Sequence, residues 1–153
     1  MAEPMTHTPL RVAQTETGAS LLEVLISVLI LSIGILGIAA LQSVSLRNTA
    51  SAEARSAAVI QSYAMFDMMR ANRAAALNGD YDQNYMCAPP GLGAGRVNED
   101  LDLWITQLQE SLGASACGRI QCGVIECEVG VRWDDSRATA GEDEQEVITV
   151  SRL

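Results

Sequence analysis

The first third of the chain contains one long apolar run. No residue between Val24 and Leu46 is charged. A helix of that length, at about 1.5 Å per residue, spans the roughly 30 Å of bilayer hydrocarbon. The pattern therefore predicts a membrane-embedded helix over 19–41. Its anomaly is Glu23, because an isolated carboxylate in hydrocarbon is unfavourable by several kcal/mol unless another group neutralises it.

The helical pattern continues beyond the apolar run. Residues 42–77 contain neither proline nor glycine and are rich in good helix formers, chiefly alanine, arginine, glutamine and methionine. One continuous helix over 19–77 is predicted, ending at the turn signal formed by Asn78 and Gly79. Within it, Ala57–Met69 is apolar on nearly every face, which indicates a segment covered on more than one side.

The remaining residues, 78–153, change between helical and strand periods. A short amphipathic helix is predicted from an N-cap at Asn98 to Gly113, with apolar residues at helical spacing. A strand with one buried face is predicted where apolar and polar residues alternate, and 146–153 is its expected partner. The apolar positions are Leu101, Trp104, Ile105, Leu108 and Leu112 in the helix, and Ile125, Cys127, Val129, Val131 and Trp133 in the strand. The predicted fold class is α+β, with a small head at 78–153.

Composition excludes several function classes. The net charge is -9 and all ten basic residues are arginines without clustering, so nucleic-acid binding is not predicted. The one histidine, His7, lies in the polar, proline-containing stretch 1–18, which is interpreted as a leader peptide. A chain without that stretch lacks the usual residues of general-base and metal chemistry. No enzymatic activity, catalytic residue, metal or cofactor is therefore assigned.

The cysteines indicate an oxidising compartment. All four, Cys87, Cys117, Cys122 and Cys127, follow the apolar run, and so small a head needs covalent support. Three pairings are open, of which Cys117–Cys122 with Cys87–Cys127 is favoured. A zinc site built from the thiols is the alternative, although the paired CxxC spacing and a downstream histidine are both missing.

The residues at the start of the apolar run carry a family resemblance. The stretch "GASLLEVLISVLIL" resembles the class III signal of type IV prepilins, in which a polar leader ends at glycine and glutamate stands at the fifth position after it. Gly18 and Glu23 match that spacing. The stretches "SIGILGIAALQ" and "VGVRWDD" resemble PilV-type minor pilins in particular. Ala19 stands where the family commonly has phenylalanine.

The resemblance implies a pilin-like fold and a processed N-terminus. A prepilin peptidase would cleave between Gly18 and Ala19 and N-methylate Ala19. The Glu23 carboxylate of one subunit would then pair with the Ala19 ammonium of its neighbour and set the assembly register. The alternative reading of Glu23 is a first-turn acid that interacts with the helix dipole and reaches the lipid headgroups.

The resemblance also implies a function. PilV-type minor pilins co-assemble with other minor pilins and pilus assembly proteins to prime type IV pilus assembly at the bacterial inner membrane, and are located at the pilus tip. The chain would be a single-pass inner-membrane protein with its head in the periplasm, and would enter the pilus after assembly.

Two other readings share many of these features. A minor pseudopilin of a type II secretion system would have the same leader, helix and glutamate. A binding module, either a tip adhesin or a membrane-tethered periplasmic sensor, is the alternative from a different class. A tethered sensor would keep its leader and stay in the bilayer.

Overall fold

The fold is α+β, as predicted. A computed structural model describes residues 18–153 except 92 and 94, so the predicted leader lies outside the described residues apart from Gly18. The elements, in chain order, are α1 (Leu21–Ala71), α2 (Arg73–Leu77), β1 (Gln83–Met86), α3 (Arg96–Leu112), β2 (Cys117–Cys122), β3 (Glu126–Trp133) and β4 (Gln145–Arg152). The chain divides within α1 into two units, Met1–Ala40 and Leu41–Leu153. We call the second of these the head unit.

The predicted continuous helix is wrong at its C-terminal end. α1 ends at Ala71, and Asn72 adopts a non-helical conformation (φ -127°, ψ 48°) before the short α2. The Asn72 side-chain amide donates to Tyr81 Oη at 3.1 Å. Asparagine leaves the helical conformation readily because its side chain competes with the backbone for hydrogen bonds. Here the hydrogen bond to Tyr81 stabilises the break in the helix. The turn after α2 is confirmed, with Gly79 at φ +83°.

The four strands form one antiparallel sheet in the order β1-β2-β3-β4. The predicted strand and its partner are β3 and β4, which pair from Glu126–Arg152 to Trp133–Gln145. β1 and β2 were not predicted. α3 confirms the predicted amphipathic helix but begins at Arg96, preceded by Gly95 at φ +116° instead of an asparagine cap.

The core lies between the sheet and one face of each long helix. α1 contributes Ala58, Ser62, Met65, Phe66 and Met69; α3 contributes Leu101, Trp104, Ile105 and Leu108; β3 contributes Cys127, Val129, Val131 and Trp133. The opposite side of α1 carries Ile60 and Tyr63, which are 65% and 51% exposed. The sheet and α3 therefore cover this part of α1 on one side. The second side, which the sequence also predicts to be covered, is exposed in the described part of the chain.

Candidate functional site

The predicted processing site lies immediately before α1. Gly18, Ala19 and Ser20 are exposed and outside regular secondary structure. The Ser20 hydroxyl accepts a hydrogen bond from the Leu22 N–H at 3.3 Å, and the Ser20 carbonyl accepts one from Val24 N–H at 3.2 Å. Ser20 thus acts as the N-cap that starts the helix. The Gly18–Ala19 peptide bond therefore lies in exposed chain just before the helix.

Glu23 lies in the first turn of α1, at the start of its apolar surface. Every residue from 18 to 50 is exposed, including the leucine, isoleucine and valine side chains. The hydroxyls of Ser27 and Ser32 donate to the backbone carbonyls of Glu23 and Val28, both at 2.7 Å. These hydroxyls are satisfied within the helix, whereas the Glu23 carboxylate forms no hydrogen bond or ion pair in the described part of the chain.

The apolar part of α1 is long and hydrophobic enough to cross a membrane, which is compatible with a single-pass anchor. Gly34 and Gly37 interrupt neither the helix nor its apolar character. A Cβ atom added at either glycine would meet nothing within 4 Å. Contacts with the described residues therefore do not require these glycines.

The four cysteines lie in the head and form two disulfides, but the favoured pairing is wrong. The bonds are Cys87–Cys117 and Cys122–Cys127, with Cα–Cα distances of 4.2 and 4.0 Å. Cys117 and Cys122 occupy opposite ends of β2, and a six-residue strand holds its ends roughly 17 Å apart at about 3.3 Å per residue. Cys122 instead faces Cys127 directly across the β2–β3 pair. All four cysteines form disulfides, so they are not available as thiolate ligands for the alternative zinc site.

A second group of polar residues lies on the outer face of the sheet. The Tyr85 hydroxyl donates to Glu146, while the guanidinium groups of Arg132 and Arg119 lie 4.4 and 5.7 Å from the centre of its ring. Arg119 also binds Glu128, and Arg132 binds Glu144. These contacts cross all four strands, so their simplest role is to hold the sheet together.

The third feature is a cleft at the end of the head where β3 leaves the sheet. It has a volume of about 380 Å³, and α1, the end of α3 and the β3–β4 loop all contribute to it. Asp135 accepts a hydrogen bond from the Ser51 hydroxyl at 2.5 Å, which fastens the loop to α1. Hydrogen bonds from the Ser136 side chain and backbone lower the pKa of the Asp134 carboxyl, so Asp134 is charged at neutral pH.

Trp133 forms part of the cleft wall. It is buried, as predicted for a core anchor, and so is Trp104. Trp104 Nε1 donates to the Gln61 carbonyl at 3.1 Å. Trp133 Nε1, in contrast, is buried without a hydrogen-bond partner among the described residues.

The structure therefore separates the predicted site residues into two groups. Gly18, Ala19 and Glu23 lie together within one short exposed stretch, and the four cysteines lie in the head. Sequence reasoning missed the cleft, because its two arginines, Arg47 and Arg137, are 90 positions apart and no local pattern connects them. No family model matches the chain, and no curated protein or solved structure matches it at a significant level.

Proposed function

We propose that this chain is the precursor of a minor pilin of the PilV type, which co-assembles with other minor pilins to prime type IV pilus assembly at the inner membrane and is located at the pilus tip. One observation carries the proposal. The first half of α1 exposes a continuous apolar surface with a single carboxylate, Glu23, next to an accessible Gly18–Ala19 bond. The protein is a subunit and a peptidase substrate, with no catalytic role of its own.

Processing supplies the partner that Glu23 needs. Hydrolysis of the Gly18–Ala19 bond by a prepilin peptidase creates an ammonium group at Ala19, and N-methylation of that nitrogen preserves its positive charge. In a bundle of parallel helices, the Glu23 carboxylate of one subunit pairs with the Ala19 ammonium of its neighbour. Two buried charges that are each unfavourable in hydrocarbon then become one pair.

The pairing also explains how assembly selects one axial offset. Attraction between two charges in a low-dielectric medium falls with distance, and a misplaced subunit leaves both charges unpaired. Glu23 would therefore act as a register device when the subunit moves from the bilayer into a filament. The exposed Ile60 and Tyr63 side of α1 provides apolar area for neighbouring subunits in the same bundle.

The disulfides support the proposed topology. Stable disulfides form in oxidising compartments such as the bacterial periplasm and are rare in the cytosol. A single-pass anchor with the head in the periplasm satisfies both the apolar helix and the two bonds. Before assembly, the protein is then located in the inner membrane.

Processing is tested by intact mass and N-terminal sequencing of the protein from bacterial membranes, with and without an active prepilin peptidase. The mature chain is expected to begin at Ala19 only when the peptidase is present, with the added mass of one methyl group. A leader that remains in both strains would contradict the proposal and favour the membrane-tethered periplasmic module.

The register role is tested by Glu23→Ala. This variant is expected to insert into the membrane and to be processed normally, but to lose co-purification with other minor pilins and to reduce surface piliation. Ser27→Ala is the matched control, because it removes a polar group one turn later on the same side of α1 and leaves the carboxylate in place. Normal piliation in the Glu23 variant would refute the register role. Recovery of secretion-system components instead of pilus components would assign the chain to the pseudopilins.

A further inference from the structure

The cleft in the head unit contains charges of both signs. Arg47 and Arg137 line this cleft, and both also line the adjoining one. Neither arginine forms an ion pair within 4 Å among residues 18–91, 93 and 95–153. Two arginines that line one cleft are a typical arrangement for binding a phosphate.

The aspartates of the cleft are not equivalent. Asp135 is half-buried and accepts a hydrogen bond from the Ser51 hydroxyl, so its role is to hold the β3–β4 loop on α1. Asp134 is exposed and forms no salt bridge in the described part of the chain, although one of its oxygens accepts the Ser136 N–H at 2.9 Å. With both arginines ionised, the two carboxylates bring the formal charge of the cleft to zero. A simple anion would gain from the arginines and be repelled by Asp134, whereas a ligand with both charges would match the whole site.

The other walls of the cleft are largely apolar. Ala50, Ala54, Leu112 and Ala138 contribute to them, together with Trp133. The buried Trp133 Nε1 has no acceptor among the described residues, which is uncommon for a buried indole N–H. A ligand with a charged headgroup and apolar parts therefore fits this lining better than a free ion does.

The position of Arg47 along the chain indicates where such a ligand is found. Arg47 is the first charged residue after the uncharged run Val24–Leu46. If that run spans the hydrocarbon, Arg47 lies at the level of the lipid headgroups, where arginine side chains meet phosphates. The source of the ligand is thus the membrane itself.

We propose that this cleft binds the phosphoethanolamine headgroup of a membrane phospholipid, with the phosphate on Arg47 and Arg137 and the ammonium on Asp134. The proposal rests on the membrane anchoring in the proposed function. A phosphatidylcholine headgroup has the same phosphate but no N–H donor for Asp134. A phosphatidylglycerol headgroup has no cation at all.

The test is native mass spectrometry of the full chain released from nanodiscs that contain equal amounts of phosphatidylethanolamine, phosphatidylcholine and phosphatidylglycerol. The wild-type chain is expected to retain phosphatidylethanolamine in preference to the other two. Arg137→Gln is expected to reduce retention about tenfold, the effect of losing one charge-assisted hydrogen bond of about 1.5 kcal/mol. Asp134→Asn is expected to abolish the preference over phosphatidylcholine.

Arg73→Gln is the matched control, because Arg73 is an exposed arginine on α2 and does not line the cleft. Equal losses in the Arg73 and Arg137 variants would overturn the site, and so would equal retention of all three lipids by the wild-type chain. Free phosphoethanolamine is expected to displace the lipid only at a much higher concentration than the lipid itself; displacement at an equal concentration would overturn the assignment to a membrane lipid.

The outcome is separable from that of the proposed function. Glu23→Ala, which is expected to lose co-assembly, is expected to keep full lipid preference in the same experiment. Arg137→Gln is in turn expected to show normal cleavage at Gly18. An unchanged thermal unfolding midpoint for the Arg137 variant confirms that its head is folded.

Discussion

At the scale of single residues, Tyr81 contains a buried hydroxyl in a short chain of hydrogen bonds. Tyr81 is fully buried, its Oη donates to Asp100 Oδ2 at 2.5 Å, and it accepts from Asn72 Nδ2 at 3.1 Å. Burial, together with the hydrogen bond to Asp100, raises the pKa of Tyr81 to about 12. This one side chain connects the break after α1 with the first turns of α3.

Tyr81→Phe is expected to destabilise the head by about 1–2 kcal/mol, because Asn72 and Asp100 both lose a partner in a half-buried place. The measurement is urea unfolding at pH 7, followed by tryptophan fluorescence. Tyr63→Phe is the control, since Tyr63 is exposed. Equal stability of the two variants would show that the hydroxyl contributes nothing.

The same residue predicts a pH dependence. A pKa of about 12 in the folded chain, above the ordinary value of 10.0, means that the unfolded chain ionises first as pH rises. The contribution of Tyr81 to stability is complete below pH 10 and is lost as the pH rises through about 12. Between those limits the wild-type head should lose more stability than Tyr81→Phe does. Parallel losses in the two proteins would contradict this assignment.

At the scale of elements, the two disulfides connect neighbouring strands. Cys122–Cys127 closes the β2–β3 hairpin, and Cys87–Cys117 ties the chain after β1 to the start of β2. The sequence separations are 5 and 30 residues, so the two bonds restrict the unfolded chain to different extents. Loop-closure entropy corresponds to about 2 kcal/mol for the shorter loop and about 3.6 kcal/mol for the longer one.

Replacing Cys87 and Cys117 together by alanine is therefore expected to cost more stability than replacing Cys122 and Cys127 together. The expected difference is about 1.5 kcal/mol in the free energy of unfolding. Urea unfolding of the two double variants, with disulfide mapping of each, provides the comparison. The opposite order would show that packing around Cys127, which is almost fully buried, outweighs loop closure.

Close packing between β2 and α3 depends on Gly118. A Cβ atom at this position would overlap ring carbons of Trp104, which is fixed in the core. Gly118→Ala is expected to cost about 3 kcal/mol, because a buried indole has no free space to move into. Gly130→Ala is the matched comparison on the outer face of the sheet, where the nearest atom is the Tyr85 hydroxyl at 2.9 Å. Tyr85 is only half-buried and can move, so a smaller loss is expected there; urea unfolding of both variants checks the order.

At the scale of the whole molecule, the division of the chain separates two kinds of surface. The residues of Met1–Ala40 that the structure describes are exposed and largely apolar, while Leu41–Leu153 contains all of the described buried core. The head unit, Leu41–Leu153, has its own core and two disulfides, so it can fold without the rest of the chain. The described part of the N-terminal unit, residues 18–40, has no buried residue and exposes a long apolar surface.

A fragment that comprises residues 41–153 is therefore expected to be soluble without detergent and to unfold cooperatively. A chain that begins at Leu21 is expected to partition into membranes or detergent, because it exposes the whole apolar segment to water. Centrifugation with lipid vesicles and thermal unfolding of both proteins test this expectation. Aggregation of the shorter fragment would mean that part of its fold depends on the segment before Leu41.

The sequence alone determined the features that depend on local order along the chain. The apolar run, the amphipathic α3 and the alternating strand β3 follow from the hydrophobic pattern, because each side chain's environment there depends on its position within a regular element. The spacing of Gly18, Ala19 and Glu23 is equally local, and it carries the resemblance from which the processing site is predicted. The existence of a small disulfide-bonded head followed from the cysteine count and its position.

Only the tertiary structure decided which distant residues meet. The break at Asn72 arises from a contact with Tyr81, and the disulfide pairing follows from the β2–β3 register, neither of which a local pattern encodes. The sequence does not predict β2, because its glycine, arginine and glutamine positions show no alternation of apolar and polar residues. Its position in the sheet comes from pairing with both β1 and β3. Arg47 and Arg137 line one cleft because the β3–β4 loop lies against α1, where Asp135 accepts a hydrogen bond from Ser51. Such contacts depend on the balance of packing and hydrogen bonding over the whole head, and so they appear only when the chain has folded.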